Sequence, residues 1–150
     1  MSNIENRYNY SSVMERALIL AKQAALLNEV PVASIIIDSK TKNIIASAYN
    51  MVESQNNSIL HSEIVVISET CRILGTKYLD NCEIYITLQP CIMCYTAISY
   101  ARISKIYFGA FDNKNGFKDM PKSLHKPEIY GGIMQEESER MLSDFFKKLR

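Results

Sequence analysis

His61-Ser62-Glu63-Ile64-Val65-Val66-Ile67 reads in two ways, and the choice between them decides the fold. Its β-branched residues favour a strand by propensity alone. Its length favours a helix, because the segment continues through Ser68, Glu69, Cys71 and Leu74 to Gly75, a good C-cap residue. Ile64, Ile67, Cys71 and Leu74 also share one helical face. The helix is the reading adopted, and the residues at its start tip the choice. Further along, Pro90-Cys91-Ile92-Met93-Cys94 supplies two thiolates to join the imidazole of His61. Nitrogen and sulfur in a tetrahedron suit zinc, a borderline-soft ion. Three protein ligands leave a position for water, which separates a catalytic zinc from a structural one. Glu63, two residues from the histidine, is the carboxylate placed to handle the protons of that water.

Working outward, Cys82, Ile84, Ile86 and Leu88 alternate with Glu83, Tyr85, Thr87 and Gln89, a strand that runs straight into Pro90. Pro90 fits the start of a helix, where its missing N–H costs nothing. Cysteines at i and i+3 then sit in the first turn, where unpaired N–H groups and the helix dipole favour thiolate over thiol. On the N-terminal side, Ser12-Val13-Met14-Glu15 has the form of a capping box. A helix follows to about Asn28, with Val13, Ala17, Leu20, Ala24 and Leu27 on one face. Pro31 closes it. Val32 to Ile37 reads as a strand covered on both faces, and Ile44 to Tyr49 as its antiparallel return. Asn50, at the end of that return, reads from position alone as a turn residue. On the C-terminal side, Ile103 to Phe108 is a strand ended by Gly109, and Ile129 to Ile133 a short one. Ala110 to Pro127 is turn-rich. Gln135 to Leu149 is a helix with Met141, Leu142, Phe145, Phe146 and Leu149 on one side. Its glutamates lie near the start and its lysines near the end, as a helix dipole prefers.

At 150 residues the chain is most simply one domain, 1–150, with ample length for a core. Apolar residues at 47% and charged ones at 22% are ordinary for a globular protein. A net charge of +1 excludes a strongly basic nucleic-acid binder but not a local patch. Met1 to Tyr10 is polar and lacks the apolar core of a secretory signal. The longest apolar runs fall well short of a membrane span. Four cysteines in such a chain read as ligands and buried thiols, and the expected compartment is the cytoplasm. Cys71 and Cys82 are expected as small buried hydrophobes, and His125 as a loop residue. A structural zinc site recruiting Cys71 or Cys82 as fourth ligand, with Glu63 idle, is the competing arrangement.

The H-x-E and P-C-x-x-C pair resembles the signature of the zinc nucleobase deaminases. Several flanking stretches further resemble the bacterial tRNA-specific adenosine deaminases, over nearly the whole chain. These are Glu29-Val30-Pro31-Val32, Asn50 at its distance before the histidine, and Thr87-Leu88-Gln89-Pro90-Cys91-Ile92-Met93-Cys94. Phe108-Gly109-Ala110-Phe111-Asp112 and Leu142-Ser143-Asp144-Phe145-Phe146 are similar as well. The resemblance implies an α/β cytidine-deaminase-like sandwich of three layers, a mixed sheet of about five strands with helices on both faces. It implies one zinc on His61, Cys91 and Cys94, with Glu63 moving protons. Val32 and Leu88 would line the base pocket, Asn50 would hold the base, and Asp112 would lie on the RNA-facing loop. A homodimer acting on a tRNA anticodon stem-loop is implied too.

The sequence departs from that family at several places. Ser62 replaces a usual alanine, Gln89 a usual glutamate, and Phe111 a common arginine. Asn57-Ser58-Ile59-Leu60 lacks the family's Asp-Pro, and Gly116 to Glu128 is short. A tRNA enzyme needs cations for phosphates, and Lys114, Lys118, Lys122, Lys126, Lys147, Lys148 and Arg150 are the residues available. A deaminase of free guanine, cytosine or cytidine would need a closed pocket and no such patch.

Overall fold

The computed structural model describes residues 10–149. The polar N-terminal residues 1–9 and Arg150 lie outside them. Helix α1 (Tyr10–Leu26) leads to strands β1 (Ala33–Asp38) and β2 (Ile44–Tyr49). Then come α2 (Ser62–Leu74), β3 (Cys82–Leu88), α3 (Ile92–Tyr100), β4 (Lys105–Ala110), β5 (Glu128–Tyr130) and α4 (Gln135–Lys148). The five strands form one sheet in the order β2-β1-β3-β4-β5. β1 is antiparallel to both β2 and β3, whereas β3, β4 and β5 run parallel, so the sheet is mixed as expected. Parallel neighbours need a crossover, and α3 supplies it between β3 and β4.

The two faces of the sheet carry different cores. On one, Ile36, Ile84, Ile86, Ile106 and Phe108 pack with Val66 of α2 and with Tyr95 and Ile98 of α3. On the other, Ile35, Ile37, Tyr85 and Tyr107 meet Val13, Met14, Ala17 and Leu18 of α1, with Met141 of α4 at the side. The alternation in β3 therefore marks two covered faces, not one dry and one wet. Of its polar members Glu83 and Thr87 are buried. Lys42 reaches Glu83 Oε2 at 3.0 Å while Oε1 has no hydrogen-bond partner among the described residues, and Thr87 Oγ1 accepts the Ala33 N–H at 3.2 Å.

Several boundaries differ from expectation. Ser12-Val13-Met14-Glu15 lies inside α1 and is no capping box there, and Asn28, with φ 62°, ends the turn after the helix. Leu27 is exposed, because that turn swings it off the packed stripe. On α2 the buried residues are Ser62, Glu63, Val66 and Thr70, while Leu74 is largely exposed. The helix docks by the side that carries Glu63, which rotates the buried stripe away from the one its isoleucines suggest. Gly75 caps it as expected, at φ 64° with its N–H on the Cys71 carbonyl. β4 runs through Gly109, where a Cβ would come 2.6 Å from the Thr87 carbonyl oxygen, so a close approach and not a strand end explains the glycine. β5 stops at Tyr130, short of Ile133.

No helix among the described residues is long and apolar enough to cross a membrane.

Candidate active site

The C-terminal ends of β2, β3 and β4 and the N-terminal end of β1 share one edge of the molecule, as the strand registers require. Two helices start there. His61 is the N-cap of α2 and Cys91 the N-cap of α3, both with extended backbone. Pro90 thus stands one position outside α3 and not in its first turn, because the extended path of β3 continues through Cys91. His61 Nδ1 lies 3.7 Å from Cys91 Sγ and 3.5 Å from Cys94 Sγ, and the three ligand atoms fall within 4.8 Å of one another. Bonds of ~2.0–2.3 Å to a tetrahedral zinc would set such atoms ~3.5 Å apart, so the donor set fits the ion in kind and in spacing.

No other described residue joins this group. Cys82 is buried in the core with its thiol pushed up to about 11 by that burial, and Cys71 packs against the same core. Cys82 is the small buried hydrophobe expected, while Cys71 is only half-buried, and neither joins the cluster, so the four-ligand arrangement finds no fourth ligand among the described residues. His125 is a loop residue; its Nε2 lies 3.0 Å from the Ile103 carbonyl, and Ser99 Oγ donates to its own carbonyl at 2.6 Å.

The cluster is built for a cation. Cys91 is held down at about 4, first by the hydrogen bond from the Cys94 thiol and then by His61 and the Cys94 N–H, against its burial. Cys94 is pushed up by holding the shared proton, by burial and by the charge of Glu63. His61 is raised, mainly by its bond to Cys91. Glu63, 3% exposed, is raised by desolvation, which the hydrogen bond from Ser62 only partly opposes. That bond is 2.8 Å long, from Ser62 Oγ to Glu63 Oε1, and Ser34 Oγ sits 2.6 Å behind it. The Ser62 N–H donates to Asn50 Oδ1 at 2.8 Å. Asn50 is therefore more than a turn residue: its side chain satisfies the first free N–H of α2.

These groups open on a cavity of about 450 Å³. His61, Glu63, Cys91, Val32, Asn50, Leu88 and Asp112 all line it; Cys94 lies buried behind. The lining also includes residues not foreseen as site residues, among them Glu29, Gln89 and Asn115. Gln89 ties down the rim. Its Oε1 accepts the Asp112 N–H at 2.9 Å, and its amide nitrogen lies 3.5 Å from the Phe117 carbonyl. Gly116 passes so near that a Cβ would come 2.6 Å from the Gln89 side chain. Residues 112–115 form a turn around Asp112 Oδ1, which accepts the Lys114 and Asn115 N–H groups.

A buried carboxylate beside three donors that suit zinc, at the mouth of a mixed sheet, is the arrangement a zinc-dependent deaminase requires. The family profile of the cytidine and deoxycytidylate deaminase zinc-binding region matches residues 7–110. The chain is 41% identical to a tRNA-specific adenosine deaminase of Rickettsia bellii, over 91% of this chain and 99% of the relative. It is 44% identical to one from Aquifex aeolicus, covering 89% and 91% of the two chains. A solved tRNA deaminase that edits A to I at the wobble position superposes with a TM-score of 0.83 at 36% identity, over 88% of this chain and 99% of that one. A guanine deaminase from Nitrosomonas europaea has the same TM-score, 0.83, at 18% identity over 91% and 84% of the chains, a likeness of fold alone. The chain belongs to the zinc-binding cytidine and deoxycytidylate deaminase family, and within it to the tRNA-specific adenosine deaminases.

Proposed function

We propose that this protein hydrolyses the wobble adenosine of tRNA to inosine, with one zinc held by His61, Cys91 and Cys94. Zinc, when bound there, supplies the Lewis acidity that makes water a nucleophile near neutral pH. Glu63 takes the proton of the attacking water as it adds to the ring carbon bearing the amino group. It gives that proton to the adjacent ring nitrogen. It then takes the remaining proton from the hydroxyl now on the ring carbon and passes it to the amino group, which leaves as ammonia while the carbonyl forms. Burial suits it to the task, since a carboxyl group raised toward neutral pH takes up a proton more readily than a free one and still yields it to a more basic acceptor. Ser62 occupies one carboxylate oxygen and leaves the other for this traffic. Asn50 spends its carbonyl oxygen on α2, so its amide N–H groups remain to hold the base. Val32 and Leu88 flank the ring, and Asp112 stands on the RNA-facing loop.

The wobble base must leave its stack to enter the cavity. Among the described residues no lysine or arginine lines the cavity itself, so the phosphates are met further out. Lys114, Lys118, Lys122 and Lys126 are exposed on the loop beyond the rim, and Lys147 and Lys148 on the last turn of α4. The partner is an anticodon stem-loop, and the protein works in the cytoplasm as a homodimer. Ile92 and Tyr100 of α3 are largely exposed on the single chain, and a second subunit covers them.

The observation that carries the reading is the buried Glu63 carboxylate lining the same cavity as His61 and Cys91. Ammonia release and inosine formation, measured with an anticodon stem-loop beside free adenosine, guanine and cytidine, test it. Turnover of the stem-loop is expected; turnover of a free base alone would overturn the tRNA substrate.

A further inference from the structure

The connection from α1 to β1 delivers a carboxylate to the cavity wall, and the chemistry above does not use it. After the left-handed turn at Asn28, the Glu29 N–H closes back on the Ala24 carbonyl at 3.0 Å and the side chain turns inward. Glu29 is 1% exposed, yet it lines the cavity. One carboxylate oxygen accepts the Glu53 N–H at 2.8 Å and the other the Ser54 N–H at 2.7 Å. Among the described residues it makes no ion pair with lysine or arginine. Two successive backbone N–H groups form a small anion-binding concavity, and Glu29 fills it.

Burying a charge without a countercharge is costly unless its hydrogen bonds are good, and charge-assisted bonds to N–H groups are among the strong ones. Packing alone would be served here by another apolar residue, as at the neighbouring Val30 and Val32. The segment that Glu29 grips carries Val52, Glu53 and Ser58 to the cavity wall. That segment begins at Asn50 and ends at His61.

We propose that Glu29 is a positioning residue for substrate: by holding the Glu53 and Ser54 amides it presets the cavity wall that receives a nucleotide extruded from an RNA loop. The inference rests on the tRNA reading. Its energy is spent before substrate arrives, so it lowers the cost of ordering the wall on binding. Glu29 touches no reacting atom and acts through the loop.

Glu29→Gln offers one acceptor and one donor, so one of the two amides then faces an NH2 group. Glu29→Asp keeps both acceptors on a shorter stem. Inosine formation on an anticodon stem-loop is measured for the zinc-loaded parent and both variants, together with zinc content and thermal melting. Glu29→Gln is expected to raise KM about tenfold while kcat falls less than about threefold and zinc content stays at the parent's level, the pattern of lost binding and not lost chemistry. Glu29→Asp recovers part of the KM. An unchanged KM in Glu29→Gln, or a fall in kcat alone, overturns the proposal. Amide hydrogen exchange of the parent judges the clamp even where a variant fails to fold: Glu53 and Ser54 exchange slowly if it holds, and rapid exchange at both overturns it. A parent that ignores the stem-loop counts against the tRNA reading, while the exchange result still stands on its own.

Discussion

The proton traffic proposed for Glu63 needs a carboxylate that is held still, and the neighbouring side chain does the holding. Ser62 Oγ bridges Ser34 Oγ and Glu63 Oε1 with both serines fully buried. Ser62→Ala removes that bridge and leaves the Ser34 hydroxyl and one carboxylate oxygen without it. A loss of about 1–2 kcal/mol in denaturant unfolding is expected, with zinc retained; an unchanged midpoint would mean the bridge contributes nothing to stability. Glu63→Gln fills nearly the same space but cannot shuttle a proton. Turnover of the stem-loop should drop about 10²–10⁴-fold with fold and zinc intact, and activity within a few fold of the parent would remove Glu63 from its role. At this scale the sequence is legible where the chemistry is local. His61 and Glu63 are two positions apart and Cys91 and Cys94 three, so their spacing can be recognised without a structure. Glu29, Ser34 and Gln89 act on groups 24, 28 and 23 positions away, and although Glu29 and Gln89 stand in family-like stretches, nothing local tells which groups they hold.

The segment that could have been strand or helix shows why element reading succeeds on some grounds and fails on others. The β-branched run of α2 was outweighed by its length and by Gly75, both signals of how the helix ends. Which face it buries was misread, because a stripe drawn from apolar residues assumes that the core wants only those. Here the docked side carries Ser62, Glu63 and Thr70. α3 is apolar on every side, and such a helix asks for cover on every side; the single chain does not supply it, since Ile92 is 63% and Tyr100 71% exposed there. The starts of the two helices are what bring the metal ligands together, so either thiolate is needed to complete the cluster. Cys91→Ser and Cys94→Ser should each fall well below equimolar zinc by elemental analysis, whereas Cys82→Ser should not. Full zinc in either of the first two would mean that another residue completes the site.

For the whole molecule, the order of strands was only partly readable, since the insertion of β3 between β1 and β4 is set by packing on both faces and not by any one stretch. The exposed apolar surface of α3, with Ile73 and Leu74 at the end of α2 also exposed, motivates pairing of chains. Sedimentation at micromolar concentration should show a dimer, and Ile92→Asp should shift it to monomer; a monomeric parent would count against the assembly. If RNA is held by the outlying lysines, affinity for the stem-loop should fall steeply with salt, because each phosphate contact releases counterions. Replacing Lys147, Lys148 and Arg150 together with alanine should weaken binding and flatten that slope while leaving zinc in place; an unchanged slope would move the RNA contact elsewhere. The place of β3 in the sheet bears also on the order in which the molecule comes into being. As the chain leaves the ribosome, β1, β2 and α2 precede β3, and β4 follows it. Neighbours on both sides must wait for that one strand, and pairings between distant segments are slow to form. His61 emerges before β3, and Cys91 and Cys94 after it, so the newborn chain gathers its metal ligands only when the middle of its sheet is in hand.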